Sequence, residues 1–198
     1  SGKSTQIQLL QQAFDKLGIV YNIFREPGGT DLSEKIRDIL LDKNNFDLNS
    51  KAESLLFAAA RAQLTTEQIK PAIARGEYVI CDRFTDSTIA YQGFGRGLNI
   101  NILHKINEIA TDGLIPDITF ILDISPENSL HRMKSATPDR MESSGIEFFQ
   151  KIRQGYYQIM EQSQSRCILI NGEQTELQVF NEINDIIMQR FKKELVCS

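Results

Sequence analysis

The first residues able to do chemistry open the chain. Ser1-Gly2-Lys3-Ser4-Thr5 fits the second half of the phosphate-binding pattern G-x-x-x-x-G-K-[ST] and runs straight into a helical stretch. Glycine lets the backbone close on a phosphate, and amide N–H groups at a helix start point at the anion. In that arrangement Lys3 reaches the β- and γ-oxygens, the Ser4 hydroxyl holds Mg²⁺, and Ser1, Gly2 and Thr5 complete the cradle. On this fragment alone, a helix capped by Ser1 beside a solvated lysine explains the pattern as well. A second feature is Tyr78-Val79-Ile80-Cys81, an apolar run ending in Asp82-Arg83-Phe84. A carboxylate at the carboxyl end of a strand is placed to hold a magnesium shell, and Arg83 beside it to neutralise a phosphate. A plain Asp–Arg ion pair closing the strand is the alternative.

These residues need a scaffold, and the apolar pattern supplies one. Ile19–Phe24, Tyr78–Cys81, Ile118–Ile124 and Cys167–Ile170 are short runs rich in Ile, Val, Phe and Tyr and predict buried strands. Between them lie helical stretches at Thr5–Leu17, Asp31–Leu41, Ala52–Ala74, Asn101–Ala110, Pro126–Lys134, Glu147–Gln162 and Leu177–Phe191. Strands alternating with helices predict an α/β fold, a parallel sheet flanked by helices on both faces. Ligands of such sheets bind beyond the carboxyl ends of the strands, where both features fall. The net charge of −4 excludes a global electrostatic footprint for nucleic acid, so positive charge must be local, in a cleft. No apolar run approaches the ~18 residues of a membrane span. Cys81, Cys167 and Cys197 lack metal-ligand spacing; the first two lie in apolar runs and are expected to be buried thiols in a reducing compartment. His104 and His131 have no partner pattern for metal or acid–base work.

Several further segments carry a resemblance. Arg25-Glu26-Pro27-Gly28-Gly29-Thr30 follows the first predicted strand. Phe57-Ala58-Ala59-Ala60-Arg61-Ala62-Gln63-Leu64 lies on a helix. Asp82-Arg83-Phe84 continues through Ser87-Thr88-Ile89-Ala90-Tyr91-Gln92-Gly93. Pro116-Asp117 precedes a strand ending in Asp123, and Asp139-Arg140 sits in a polar loop. In this order, over essentially the whole chain, the segments resemble the thymidylate kinases, P-loop enzymes that move the γ-phosphoryl group of ATP onto dTMP. The resemblance implies a three-layer α/β/α P-loop fold over residues 1–198 with a short lid at about 131–144. It also implies a strand and the first glycine of the phosphate loop ahead of Ser1, Mg²⁺ as cofactor, a homodimer, a cytoplasmic location, and no nucleic-acid or membrane partner.

The resemblance also implies roles. Phe57 stacks on thymine and Arg61 bonds its O4; the two sit at i and i+4 and so share a helix face. A core phenylalanine and a solvated arginine is the bland alternative. Arg25, Arg37 and Arg83 clamp the acceptor phosphate, a task suited to arginine's planar fork, although Arg37 also has Glu34 and Asp38 on its own helix. Thr88 and Gln92 contact the base edge, with Ser87 beside them, and Tyr91 presses on the sugar C2′. Glu26 and Pro27 border the sugar or the metal shell. Gly28-Gly29 is first of all a turn. Asn171-Gly172 cradles adenine, or is simply a turn. The polar stretch from His131 to Arg140 offers Arg132, Lys134 and Arg140 to the transferring phosphoryl group. Asp86 or Ser87 would otherwise serve as a helix N-cap. The alternatives are another P-loop nucleoside-monophosphate or deoxynucleoside kinase, or a nucleotide-dependent ATPase or switch, which has no need of a second nucleotide pocket.

Overall fold

Four short strands carry the site. The computed structural model describes residues 2–133, 140–141 and 145–191. Strands β1 (Tyr21–Arg25) and β2 (Tyr78–Asp82) pair in parallel, with Arg25 beside Asp82 at the carboxyl end. Strands β3 (Thr119–Asp123) and β4 (Cys167–Asn171) form a second parallel pair. The sequence predicts one sheet; the structure has two, because β2 and β3 do not hydrogen-bond to each other. Residues of both strands instead border one large cavity.

Side-chain alternation sorts these strands between two helix layers. Phe120 and Leu122 of β3, and Ile168 and Ile170 of β4, pack with Leu10 and Phe14 of α1 (Lys3–Leu17) and Val179, Ile183 and Ile187 of α9 (Glu176–Arg190). The residues between them, Ile121, Cys167 and Leu169, face the other way. They meet Ile89, Leu103 of α6 (Ile100–Thr111), and Phe148, Ile152 and Ile159 of α8 (Ile146–Gln162). The result is the predicted layering of helices on both faces.

The predicted helices are present with small shifts at their ends. α2 spans Asp31–Leu41 behind a Thr30 N-cap, and α7 spans Pro126–Met133. The long stretch from Ala52 resolves into α3 (Ser50–Leu64), a π-helical stretch at Thr65–Ile69, and α4 (Lys70–Ala74). Pro71 lacks an N–H and crowds the carbonyl four residues back; the widened stretch just before it accommodates that loss. Residues Thr85–Thr88 form α5, followed by a second π-helical stretch at Ile89–Gly95. Asp86 does not cap this segment. Its carboxylate takes two hydrogen bonds from Arg166, at 2.6 and 2.9 Å, and one from the Thr119 hydroxyl at 3.0 Å.

The π-helical stretch and α8 interlock through two glycines. A Cβ on Gly95 would lie 2.6 Å from the Phe148 ring, and one on Gly155 would lie 2.7 Å from the Phe94 ring. Each element gives up a side chain to make room for the other's phenylalanine.

Candidate active site

The segment expected to hold phosphate begins at Gly2, whose left-handed backbone (φ 78°) starts α1. The first helical hydrogen bond runs from Gln6 N–H to the Gly2 carbonyl (3.1 Å), so the amides of Lys3, Ser4 and Thr5 precede it. That is the arrangement the phosphate loop requires. Ser1 lies outside the described residues. A smaller cavity of about 320 Å³ joins Gly2 and Gln6 to Gly172, Gln174 and Glu176. Gly172 donates its N–H to the Asp123 carbonyl at 2.8 Å, and a Cβ there would press on that oxygen at 2.9 Å. The Asn171 side chain is spent on the turn, accepting the Glu173 amide at 3.0 Å.

The residues expected at the acceptor end come from β1, β2, α3 and the helix after β2. Lys3, Ser4, Arg25, Arg37, Phe57, Asp82 and Arg83 all line the same large cavity, together with Ser87, Thr88, Tyr91 and Gln92. Arg25 is paired with Glu34, whose carboxylate also accepts the Gly29 amide at 2.8 Å. That backbone bond, with help from Arg25, holds the Glu34 carboxyl below its ordinary value. Arg37 donates to the Pro27 carbonyl at 2.8 Å, next to a cis Glu26–Pro27 peptide bond. Gly28 has φ 137°, and a Cβ on it would run into the Glu34 carboxylate, so the turn and the arginine anchor need glycine there. Phe57 packs at its base against Ile36, Leu40 and Ala60. Arg83 sits at φ 75°, a conformation non-glycine residues rarely adopt, and its guanidinium lies over the Tyr91 ring at 4.7 Å. Ser87 shares a 3.0 Å hydrogen bond with the Tyr156 hydroxyl.

Arg61 lines the same cavity and is also tied into a buried polar network. It is 2% exposed, and its five N–H groups all meet protein acceptors. Nε and Nη2 donate to Glu26 Oε2 at 2.8 and 2.7 Å. Nη1 donates to Thr88 and Asn107 at 2.8 and 2.7 Å, and Nη2 reaches the Phe84 carbonyl at 3.3 Å. Every donor is engaged within the protein, and Arg61 itself borders the large cavity beside Glu26 and Thr88. Glu26 is 4% exposed, and burial raises its carboxyl pKa although Arg61 opposes the shift. Its Oε1 has no protein partner, and neither does Oδ1 of Asp82. These two buried acceptor oxygens sit on adjacent residues of paired strands, since the Glu26 amide donates to the Asp82 carbonyl at 3.0 Å.

A glycine-led helix start and a group of arginines therefore border one cavity, and comparison with known proteins shows the family. The thymidylate kinase family profile matches residues 1–183. A thymidylate kinase of Thermoanaerobacter sp. (strain X514) is 44% identical over 94% of this chain and 91% of its own length. Those of Chlorobaculum parvum and Lactobacillus acidophilus are 46% and 44% identical over 92% and 99% of this chain, and 88% and 93% of their own lengths.

The chain belongs to the thymidylate kinase family.

Membership in the thymidylate kinases fixes the fold as that of the P-loop nucleotide-binding proteins. The stretch expected from the sequence to form a lid is only partly described. The Arg132 side chain and residues 134–139 and 142–144 lie outside the described residues. Arg140 is described, and it is not among the residues that line the large cavity with Lys3. It is 9% exposed, donates from Nε to the Leu40 carbonyl at 2.8 Å, and pairs through Nη2 with Glu53 at 2.7 Å. Sequence reasoning missed a different pair at the carboxyl end of β3. Arg153 of α8 makes a two-pronged bond to Asp123 at 2.7 and 2.8 Å, and Tyr157 donates to the same carboxylate at 2.7 Å. The signal was present: Arg153 and Tyr157 lie at i and i+4, facing the predicted end of β3. Sequence reasoning also passed over Glu53 and Asn107, buried polar residues on otherwise ordinary helices. Burial pushes the Cys81 thiol up to about 12 and the Cys167 thiol up to about 11, which leaves both inert. Among the described residues, no group of three or more His, Cys, Asp or Glu could hold a metal by itself.

Proposed function

We propose that this chain transfers the γ-phosphoryl group of ATP to dTMP, giving dTDP and ADP for dTTP synthesis. The observation that carries the reading is the single cavity bordered by Lys3 at one end and by Arg25, Arg83 and Phe57 at the other. Phosphoryl transfer is mostly positioning and charge neutralisation, and this cavity holds the groups for both. Lys3 and the α1 amides take the ATP phosphates, with Gly2 and Gly172 at the nucleotide side. Arg25, Arg37 and Arg83 take the acceptor phosphate. Phe57 stacks on the base, Thr88 and Gln92 meet its edge, and Tyr91 packs on the sugar. Arg132 remains the lid candidate for the transferring group.

The residues present fit a magnesium ion. The Ser4 hydroxyl and the partnerless Asp82 Oδ1 would hold it, and Glu26 Oε1 supplies a further acceptor. Bound there, the ion would neutralise charge on the β- and γ-phosphates. A site with few protein ligands, as here among the described residues, suits a metal that draws its other ligands from water and ATP.

Three further readings belong to this proposal. Residues 1–198 act as one kinase domain, and the strand expected ahead of Ser1 lies between β2 and β3, whose facing edges pair with no described strand. The protein works as a homodimer through the packed α3–α6 face, where Leu55, Ile102 and Ile109 are 56%, 57% and 78% exposed. No helix among the described residues is long and apolar enough to cross a membrane, and we place the enzyme in the cytoplasm. A coupled ADP-release assay with dTMP, dUMP, AMP and thymidine tests the activity: dTMP must give the highest kcat/KM. ADP release that no monophosphate stimulates overturns the kinase reading in favour of an ATPase. A mass that stays monomeric in light scattering at micromolar concentration removes the dimer.

A further inference from the structure

Glu53 has no surface exposure, yet it carries a carboxylate one helical turn before Phe57 on α3. Its Oε1 accepts from Gln92 Nε2 at 2.9 Å and from Arg96 Nε at 3.3 Å. Its Oε2 lies 2.7 Å from Arg140 Nη2 and accepts from Arg96 Nη2 at 3.3 Å. All four contacts bring N–H donors to this carboxylate, and a carboxylate paired with guanidinium groups only accepts hydrogen bonds. Any amide facing it must present NH₂. This matters for glutamine, whose two amide ends have nearly the same size and differ only in hydrogen-bond sense.

Gln92 is 2% exposed and lines the cavity. With its NH₂ fixed on Glu53, its carbonyl oxygen is the end left for a ligand, and that oxygen accepts. A pyrimidine base offers the matching test at N3. Thymine and uracil carry N3–H, a donor; cytosine carries a lone pair there. A pocket group built to receive a hydrogen bond discriminates strongly against a partner that cannot give one.

We propose that Glu53 is a positioning residue that sets base specificity: it locks the Gln92 amide so that the acceptor pocket reads an imide N3–H and rejects an N3 acceptor. Glu53 touches no reacting atom; it acts through Gln92. The inference rests on the acceptor pocket assigned above.

The test compares kcat/KM for dTMP, dUMP and dCMP in the wild type, Glu53→Gln, Gln92→Met and the double variant. Glu53→Gln keeps the size of the side chain but can pair with Gln92 in either sense, which frees the amide to turn. The dTMP-to-dCMP ratio should fall about 10- to 100-fold, carried by KM, with kcat for dTMP within about threefold. The dTMP-to-dUMP ratio should stay put, because both bases carry N3–H. Gln92→Met should lower the dTMP-to-dCMP ratio similarly, and the double variant no further. An unchanged dTMP-to-dCMP ratio in Glu53→Gln, or a further drop in the double variant, overturns the proposal. Should Glu53→Gln fail to fold, Gln92→Met decides alone: full discrimination against dCMP there overturns it. A wild type that phosphorylates neither dTMP nor dUMP overturns the pocket assignment itself, a failure visible before any variant is made.

Discussion

Arg61→Ala should destabilise the protein far more than an ordinary helix substitution does. The change removes a guanidinium with five hydrogen bonds and leaves the Glu26 carboxylate, 4% exposed, with neither oxygen paired. Breaking a buried pair by deleting one partner costs about 3–5 kcal/mol. That is a large share of a total stability of about 5–15 kcal/mol. The loss should depend on pH with a definite sign. Burial already raises the Glu26 pKa above its ordinary 4.5, and Arg61 is the group opposing that shift, so the variant's Glu26 pKa rises further. A carboxyl with a raised folded pKa leaves the native state most stable below the unfolded value and costs stability as pH rises through the folded value. The deficit is therefore greatest at neutral pH and shrinks as pH approaches 4.5. Urea unfolding of wild type, Arg61→Ala, Glu26→Gln and the double variant at several pH values measures this. With Glu26 neutralised, the cost of Arg61→Ala should drop by about 2 kcal/mol or more. An Arg61→Ala cost that is the same with and without Glu26→Gln, and flat with pH, refutes the account of the pair.

Arg140→Ala should lose about 2–3 kcal/mol, less than a lone buried pair, because Arg96 and Gln92 stay on Glu53; thermal unfolding of the variant checks this. Gly95→Ala and Gly155→Ala should each cost about 1–3 kcal/mol by forcing a methyl into a phenylalanine ring. Pairing Gly95→Ala with Phe148→Leu should recover part of the loss in urea unfolding. Arg153→Ala should let the Asp123 pKa, which Arg153 lowers, climb back toward its ordinary 3.8 in an NMR titration. In the wild type that pair contributes stability above 3.8 and loses it as pH falls through the depressed value; since the pair is partly exposed, its loss should cost no more than about 1 kcal/mol.

The strands and helices were legible because their signals are local. Runs such as Ile118–Ile124 are apolar on both faces, and the strand formed there buries both faces between helix layers. Phe57 and Arg61 were correctly placed on one helix face, but what Arg61 touches depends on Glu26, Thr88 and Asn107, which lie 35, 27 and 46 positions away. Nothing in the helix's own spacing encodes those partners. Arg140 was read from the polarity of its neighbours as a residue facing a phosphate. A buried glutamate on α3 captures it instead, and Glu53 gave no sequence signal because a single acid on a helix normally faces water.

The exchange of glycines between the π-helical stretch and α8 has a mechanical consequence. With Phe94 filling the notch at Gly155 and Phe148 filling the notch at Gly95, neither element can slide past the other without driving an aromatic ring into backbone. Tyr91 rides on one of them and Arg153 on the other. The interlock thereby fixes the spacing between Tyr91, on the wall of the large cavity, and Arg153, on Asp123.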